Sequence, residues 1–538
     1  MKNRYFLFAT ALMIAMSANA QETYENAKLV GEDLNGTARY VGMGGAMEAL
    51  GADISTIGTN PAGLGLFRHS NLSVSGGLLM QSNGKEFANG NKTNASFDQI
   101  GGVYSTRTGA KSFLNFGFNY HKGKNFDYIL NAANSLNGSS QNKQSFIKGL
   151  LGDEGRGGFF IDRDPKTNAN VGYSDLNKKS NAYTFSQIDY LYWNTLIPTN
   201  NPTKPYDYDG GNDYTFNRAH NGYIGNYDFS VSGNLNDRVY LGVTFGIKDV
   251  HYNAYSEYSE NLVSGARASV ADNISITGSG FDVTAGVIVR PIESSPFRIG
   301  AYVKTPTWYD LTTSNTTSLI DYRNYGAANN SKYVNNSYDY KIWTPWKFGF
   351  SLGHTIGSSL ALGATYEYED YSRINTRIND GGYIDYWTGS YYDSSIADTQ
   401  MNNHTREVLK AVSTLKLGVE YKPTTNLALR AGYNYVSPMY VSDGQKDPGL
   451  SSLGTSYASA TDYTNWKATN RFTLGVGYQI DKFNIDLAYQ YSSQSGDFYP
   501  FSNVKNININ STTYNNIATG TKVKNDKSQL LLTLGYRF

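Results

Sequence analysis

Read backwards from its C-terminus, the chain alternates. Phe538, Tyr536, Leu534, Leu532 and Leu530 fall on one side, and Arg537, Gly535, Thr533, Leu531 and Gln529 on the other. A period of two is the signature of an extended strand, whose successive side chains point to opposite faces. The pattern recurs along the chain. Leu360, Leu362, Ala364, Tyr366 and Tyr368 oppose Ala361, Gly363, Thr365, Glu367 and Glu369. Leu427, Leu429, Ala431, Tyr433 and Tyr435 oppose Ala428, Arg430, Gly432 and Asn434, and Val239, Leu241, Val243, Phe245 and Ile247 oppose Tyr240, Gly242, Thr244, Gly246 and Lys248. A soluble sandwich would turn such a face into a shared core, whereas a membrane barrel turns it to lipid and keeps the polar face inside. The tyrosines decide for the barrel. Tyr366/Tyr368, Tyr433/Tyr435 and Tyr489/Tyr491 sit at one end of the apolar face, after the aliphatics. That is the layout of an interfacial aromatic girdle.

Strands are expected near 70–82, 96–108, 112–121, 222–235, 238–250, 272–291, 296–310, 334–355, 359–372, 409–422, 426–440, 467–480, 483–495 and 523–538. The links alternate in length. Those at 107–111, 234–238, 291–296, 356–358, 422–426 and 479–482 are short, and the intervening ones are long, the largest covering 122–221. An even number of strands with short turns on one side and long loops on the other predicts an all-β fold, a 14-stranded antiparallel transmembrane barrel over 69–538. Both ends of its sheet lie on the short-turn side. Composition agrees: mean hydropathy is −0.46, which alternating strands allow and a helical membrane protein does not. The 46 basic and 45 acidic side chains give no steering toward nucleic acid, and the absence of cysteine excludes disulfides, thiol catalysis and cysteine metal sites.

Lys2 and Arg4 precede an apolar run at 5–16 and the small-residue sequence Ser17, Ala18, Asn19, Ala20. Residues 1–20 therefore read as a secretory signal peptide cut after Ala20. Residues 21–68 do not alternate and are rich in small side chains. Such a segment is too short to bury its own core and must pack against something larger. A barrel of this width leaves a lumen that its own side chains do not close, so 21–68 is expected to fill it, with short helical turns near 46–50 and 55–60.

Specific blocks accompany this layout. They are Arg39 with Gly42, Gly44, Gly45 and Ala46; Ala52 with Asp53; and Asn60, Pro61, Ala62, Gly63 and Leu64. Downstream stand Tyr302-Val303-Lys304-Thr305-Pro306-Thr307, Thr344-Pro345-Trp346-Lys347-Phe348-Gly349, and Leu474-Gly475-Val476-Gly477-Tyr478. Together they resemble the FadL-type outer-membrane transporters of long-chain fatty acids and other hydrophobic compounds. The resemblance implies an N-terminal hatch, a terminal strand read by the barrel-insertion machinery, residence in the outer membrane lipid bilayer, and passive uptake of a hydrophobic small molecule. It implies gating by Asn60, Pro61, Gly63, Gly42, Gly44 and Gly45, and lateral exit through a kinked strand. Strand three, with Asn115, Gly117 and Asn119, is where a kink is expected, since glycine inside a strand marks bends and bulges. The aromatic loop residues Phe185, Tyr190, Tyr192 and Trp193 are expected ligand contacts. A monomer without cofactor or nucleic-acid partner is expected.

Other chemistry is weakly represented. His69, His121, His220, His251, His354 and His404 are scattered, no nucleophile elbow is present, and the chain is read as no enzyme. Asp207, Asp209 and Asp213 miss calcium-loop spacing. The inward charges Arg298, Lys304, Glu367, Glu369, Lys416, Glu420, Arg430, Arg471 and Asp486 read as salt bridges on the wall, some of them holding the hatch. Two other functions fit the same barrel: a general porin for polar solutes, or a surface-binding adhesin using the large loops.

Overall fold

The structure, a computed structural model, describes residues 22–153, 159–163, 170–174, 186–199, 201–204, 206–322, 330–447, 450, 452–509 and 511–538. The signal segment and Phe185 lie outside the described residues.

Fourteen antiparallel strands form one closed ring. They are β1 Asn71–Gln81, β2 Thr93–Arg107, β3 Phe113–Asn125, β4 Gly211–Leu235, β5 Val239–Leu262, β6 Arg267–Val289, β7 Arg298–Lys304, β8 Lys347–Ile356, β9 Leu360–Asp370, β10 Ala411–Tyr421, β11 Leu427–Val436, β12 Tyr463–Ile480, β13 Phe483–Tyr499 and β14 Thr521–Arg537. Each pairs with the next, and β14 closes on β1 from Asn71↔Arg537 to Gln81↔Lys527. Closure satisfies every backbone group without water, which a sheet in hydrocarbon requires.

Two predicted strands are each longer than expected and interrupted. β7 stops at Lys304 and resumes as Trp308–Asp321, and Asn330–Trp343 stops before β8. The breaks fall at Pro306 and Pro345, which lack the ladder N–H. The Thr307 amide donates instead to Thr344 Oγ1 at 2.8 Å, and the Thr344 amide to Thr307 O at 3.1 Å. β4 is 25 residues long. The nine to eleven residues that suffice to cross a bilayer leave its upper half standing above the membrane.

The outer face is apolar. Leu241, Val243 and Phe245 of β5 are each about half exposed, as are Leu429, Leu474 and Leu534. The tyrosines form the expected girdle near the loops, with Tyr366 Oη bonded to Ser413 and Tyr489 Oη to Ser528. A second aromatic cluster, not anticipated, lies at the short-turn end of β10 and β12–β14, where Tyr421 and Tyr478 are exposed, Tyr536 stacks on Phe538, and Phe483 packs against Tyr536 at a tilt. Above the membrane, two helices roof the barrel, α3 Gln141–Asp153 and α4 Gln187–Trp193. Glu260 of β5 binds them together. It accepts from the Gln141 amide at 2.9 Å at the start of α3, and from Tyr192 Oη at 2.9 Å in α4.

Candidate functional site

Residues 22–67 line and fill the lumen. α1, Thr23–Leu29, lies high, beneath the loops, capped by the Glu22 carboxylate on the Tyr24 amide. Tyr24 stacks on Tyr440 at 5.1 Å, and Thr23 Oγ1 meets His404 Nδ1 at 3.0 Å in α5, Thr399–Val408. The chain then descends through α2, Ala38–Gly42, and two 3₁₀ turns, Ile54–Gly58 and Pro61–Leu66, to the short-turn side. The turn expected at 46–50 is not helical, and α2 takes that role eight residues earlier because Thr37 caps it by accepting from the Tyr40 amide.

Two features seat this segment. The first is a row of glycines facing inward. Gly353, Gly363, Gly418 and Gly432 are consecutive cross-strand partners on β8, β9, β10 and β11. Their missing side chains leave the space that the hatch backbone occupies. A Cβ on Gly363 would overlap the Ala46 carbonyl oxygen, one on Gly418 the Met43 carbonyl, and one on Gly432 would lie 2.5 Å from Met43 C. Gly242 and Gly286, paired on β5 and β6, receive Asn60 and Pro61 in the same way.

The second is a set of charged clamps, each with one hatch residue. Glu32 binds Lys304 at 2.9 Å. Glu48 binds Lys416 at 2.9 Å, beside Glu367, and accepts from Thr365 at 2.7 Å. Arg39 reaches Glu420 at 3.1 Å, which also holds Arg430. Burial by itself would raise the Glu25 carboxyl of α1, but the Lys28 ammonium at 2.7 Å, with Lys446 and Arg218 beyond, brings it down to about 2.

Of the six hatch positions singled out in sequence, four pack on the backbone of the wall. Gly42 packs on Gly475, Gly44 on the Tyr433 backbone, and Asn60 and Pro61 on β5 and β6. Asn60 Oδ1 caps the Ala62 amide at 3.2 Å while its Nδ2 donates to Val287 O at 3.3 Å. Gly45 faces Leu34 of the hatch and the Lys416 side chain of the wall, and Gly63 faces Thr56 inside the hatch.

The expected kink at Asn115, Gly117 and Asn119 is corrected. The β2–β3 ladder runs unbroken from Arg107↔Phe113 to Gln99↔His121. Two of these residues instead receive the hatch: Asn115 Nδ2 donates to Leu64 O at 2.8 Å, and Gly117 makes room for Leu64 and Ile57, while Asn119 Oδ1 accepts from Gln99 Nε2 of β2 at 2.8 Å. The irregularity comes just beyond. Asp98 bulges from β2, where the partners step from Ser75↔Gln99 to Gly76↔Phe97, and Gly123 is the extra residue of β3 against β4. Above Gln99, residues 93–97 pair with β1 alone, and Lys122, Lys124 and Asn125 with β4 alone. Two bulges side by side part the strands. The wall recloses higher up, where the Gln81 side chain bonds both the amide and the carbonyl of Ile129.

The hatch stops this window with residues 33–35. The Asp33 amide donates to Gly123 O at 2.7 Å, Asp33 Oδ2 accepts from the Asn125 amide at 3.0 Å, and Asn35 Nδ2 donates to Lys122 O at 3.0 Å and Asp98 Oδ1 at 2.9 Å. Gly31 and Gly36, with φ of 79° and 138°, bracket the stopper in backbone conformations that favour glycine. A cavity of about 370 Å³ lies between α1 and the wall and reaches the window at Leu79, Asp98, His121 and Asn125. Its apolar side carries Tyr128, Tyr440, Tyr463, Trp466 and Met439. Tyr192 and Trp193 do not line it. They are buried in the loop roof, Trp193 stacked on Phe146, and Tyr190 is half-buried beside them. No group of three metal-ligating side chains occurs among the described residues.

No family model matches the chain, and no curated protein does. Among solved structures it is similar to the Ralstonia pickettii toluene transporter TbuX, at 13% identity and a TM-score of 0.46, covering 94% of this chain and 99% of that one. A Pseudomonas aeruginosa FadL homologue is similar at 13% identity and a TM-score of 0.48, with the same coverage of 94% and 99%. The Pseudomonas putida toluene transporter TodX is similar at 12% identity and 0.46, again over 94% and 99%.

Proposed function

We propose that this protein is a passive uptake channel for hydrophobic small molecules in the outer membrane, gated by its N-terminal hatch, with exit sideways through the wall. The observation that carries the reading is the window between β2 and β3. It opens off an aromatic cavity and is closed by hatch backbone, residues 33–35, rather than by the ladder itself. A ligand collected under the loops reaches hydrocarbon through it without crossing the lower lumen, which the hatch fills. Long-chain fatty acids and aromatic hydrocarbons both suit such a path.

The chain has no cysteine, so a pair can be introduced cleanly. Asn35→Cys with Asp98→Cys, joined by a short bifunctional thiol reagent, should abolish uptake of a labelled fatty acid while the barrel stays folded. Full uptake in the joined protein would refute lateral exit. The paired charges of the wall favour a second reading, a porin for polar solutes. Liposome swelling with small sugars, without fatty-acid uptake, would select it.

A further inference from the structure

The chain balances 46 basic against 45 acidic side chains, but the balance fails at the short-turn end. Turn β2–β3 carries Arg107 and Lys111, turn β4–β5 Asp237 and Arg238, and turn β6–β7 Arg290 and Glu293. Turn β10–β11 carries Lys422, turn β12–β13 carries Asp481 and Lys482, and Arg68 and Arg537 stand where β14 closes on β1. Eight cations therefore accompany three acids. Asp237 is taken by Arg68 at 2.5 Å, and Glu293 lies 4.0 Å from Arg238. The Arg107 and Arg290 guanidiniums are anchored without being neutralised: they donate to the carbonyls of Gly109 at 2.9 Å, Ala110 at 2.7 Å and Ser295 at 2.7 Å. Lys111, Lys422, Lys482 and Arg537 have no ion pair among the described residues. Arg298, close by, faces the lumen and donates to Leu50 O, so it belongs with the hatch. The outward charges at the loop end show no such excess. There Asp310 pairs with Lys341 at 3.0 Å, Asp249 with His251 at 2.9 Å, and Asp497 stands between Lys467 and Lys522, with Glu257 and Asp339 as further acids.

The height of these cations is set by their neighbours. Tyr104, Leu235, Ile292, Tyr421, Phe483 and Phe538 are half-exposed or more, and each lies within three residues of one of them. Side chains of this kind face lipid up to the level where the headgroups begin. The cations therefore stand at headgroup depth, and the long stems of Lys and Arg carry the charge to the phosphates. We propose that the short-turn end is a cationic collar that holds a shell of anionic phospholipid headgroups in the leaflet on that side. Guanidinium pairs with phosphate in two-pronged geometry, and five of the eight cations are arginines. The distribution selects lipid over a protein partner. Six of the seven junctions at this end carry at least one cation, and only turn β8–β9, residues 357–359, carries none. A ring of charge matches an annulus of headgroups, whereas a docked protein meets a patch on one side. The inference goes beyond the channel reading: it requires the barrel to span a bilayer, and holds whichever solute passes.

Spin-labelled phosphatidylglycerol and phosphatidylcholine report the lipid shell directly, with the purified full-length mature chain reconstituted in phosphatidylcholine vesicles. At about 0.1 M salt the anionic label should be enriched at the barrel surface at least about two-fold over the neutral one, because basic side chains near anionic headgroups attract them and the loop end dilutes the average. At about 1 M salt, where the screening length falls to about 3 Å, the enrichment should vanish. The triple variant Lys111→Gln, Lys422→Gln, Lys482→Gln breaks no ion pair among the described residues and should remove at least about half of the excess. The control at the loop end, Lys467→Gln with Lys522→Gln and Lys524→Gln, should leave it unchanged. Heat-modifiable migration shows that each barrel is folded. Equal association of the two labels with the parent protein, or an enrichment lost equally in both triple variants, would overturn the collar. So would a parent protein that ignores the lipid label yet binds a fluorescent oligoglutamate lost in the first triple variant, since that assigns the charges to an acidic protein partner.

Discussion

The glycine row makes a demand that can be tested by adding one methyl group. In Gly363→Ala the new Cβ would overlap the Ala46 carbonyl oxygen. β9 is held by full ladders on both sides, so the hatch must give way. Forcing a methyl into a packed interface costs about 1–3 kcal/mol. Near 2 kcal/mol, the ratio of seated to unseated hatch falls about 30-fold, since each 1.4 kcal/mol is a factor of ten. Gly418→Ala, overlapping the Met43 carbonyl on the next strand, acts on the same stretch. One shift relieves both, so the double variant should cost less than the sum. Hydrogen exchange of amides 43–50 is the direct assay, with sugar leakage from liposomes as the functional one. Heat-modifiable migration confirms that the barrel is intact. Gly233→Ala is the control, because its Cβ would meet nothing within 4 Å. Parent-like exchange and leakage in Gly363→Ala would refute the view that the row seats the hatch.

Two further outcomes follow from hatch residues. Asn60→Ala removes the cap on Ala62 and the bond to Val287 O; at about 1 kcal/mol for a lost cap, exchange at 62–66 should quicken about five-fold with the barrel unchanged, and unaltered exchange would deny that turn its role as a seat. Acid should loosen α1 before the barrel: Glu25 titrates at about 2 when folded against an ordinary 4.5, and Glu32 is also held low, against its burial, by Lys304 and Lys248. A depressed carboxylate stabilises above its unfolded value and loses that contribution as pH falls through the folded one, so proteolysis within 22–35 should rise between pH 4.5 and 2; equal cleavage at pH 6 and pH 3 would contradict it.

The strands were legible because their signal is local. Each inward or outward assignment needs only the period of two, and Leu360 to Tyr368 carries it within nine residues. The expected strands at 296–310 and 334–355 ran across Pro306 and Pro345, where the ladder breaks, and the extensions beyond them required long-range pairing to see. The hatch was legible as a segment unable to bury itself, but its seat was not. The signal existed: Gly353, Gly363, Gly418 and Gly432 all lie on the non-lipid face of their strands. Recognising them as one row needs the register between strands, which no single strand encodes. The window was missed for a related reason. Gly117 lies mid-strand and looked like the bend, yet a glycine that admits a neighbouring backbone and one that forms a bulge read alike in sequence. Only the partner of each decides, Leu64 for Gly117 and the stopper for Gly123.

A charged lumen sits poorly with an apolar cargo until the charges are matched to their partners. Glu32 with Lys304, Glu48 with Lys416, and Arg39 with Glu420 each join the hatch to the wall, at different points along the descent. Ion pairs of this kind, buried and mutually satisfied, add little net stability but fix register. They therefore act as clamps, and a moving ligand does not meet them as bare charge. The clamps also limit what has to move. Between Glu32 and Arg39 the hatch meets the wall through the longer Asp33–Arg471 pair at 3.5 Å, and that interval contains the stopper and Gly36. On the channel reading proposed above, a gate confined to these few residues would open the window while the rest of the hatch stays seated. The lower lumen would then remain closed to polar solutes during transport, which a wholesale expulsion of the hatch would not allow.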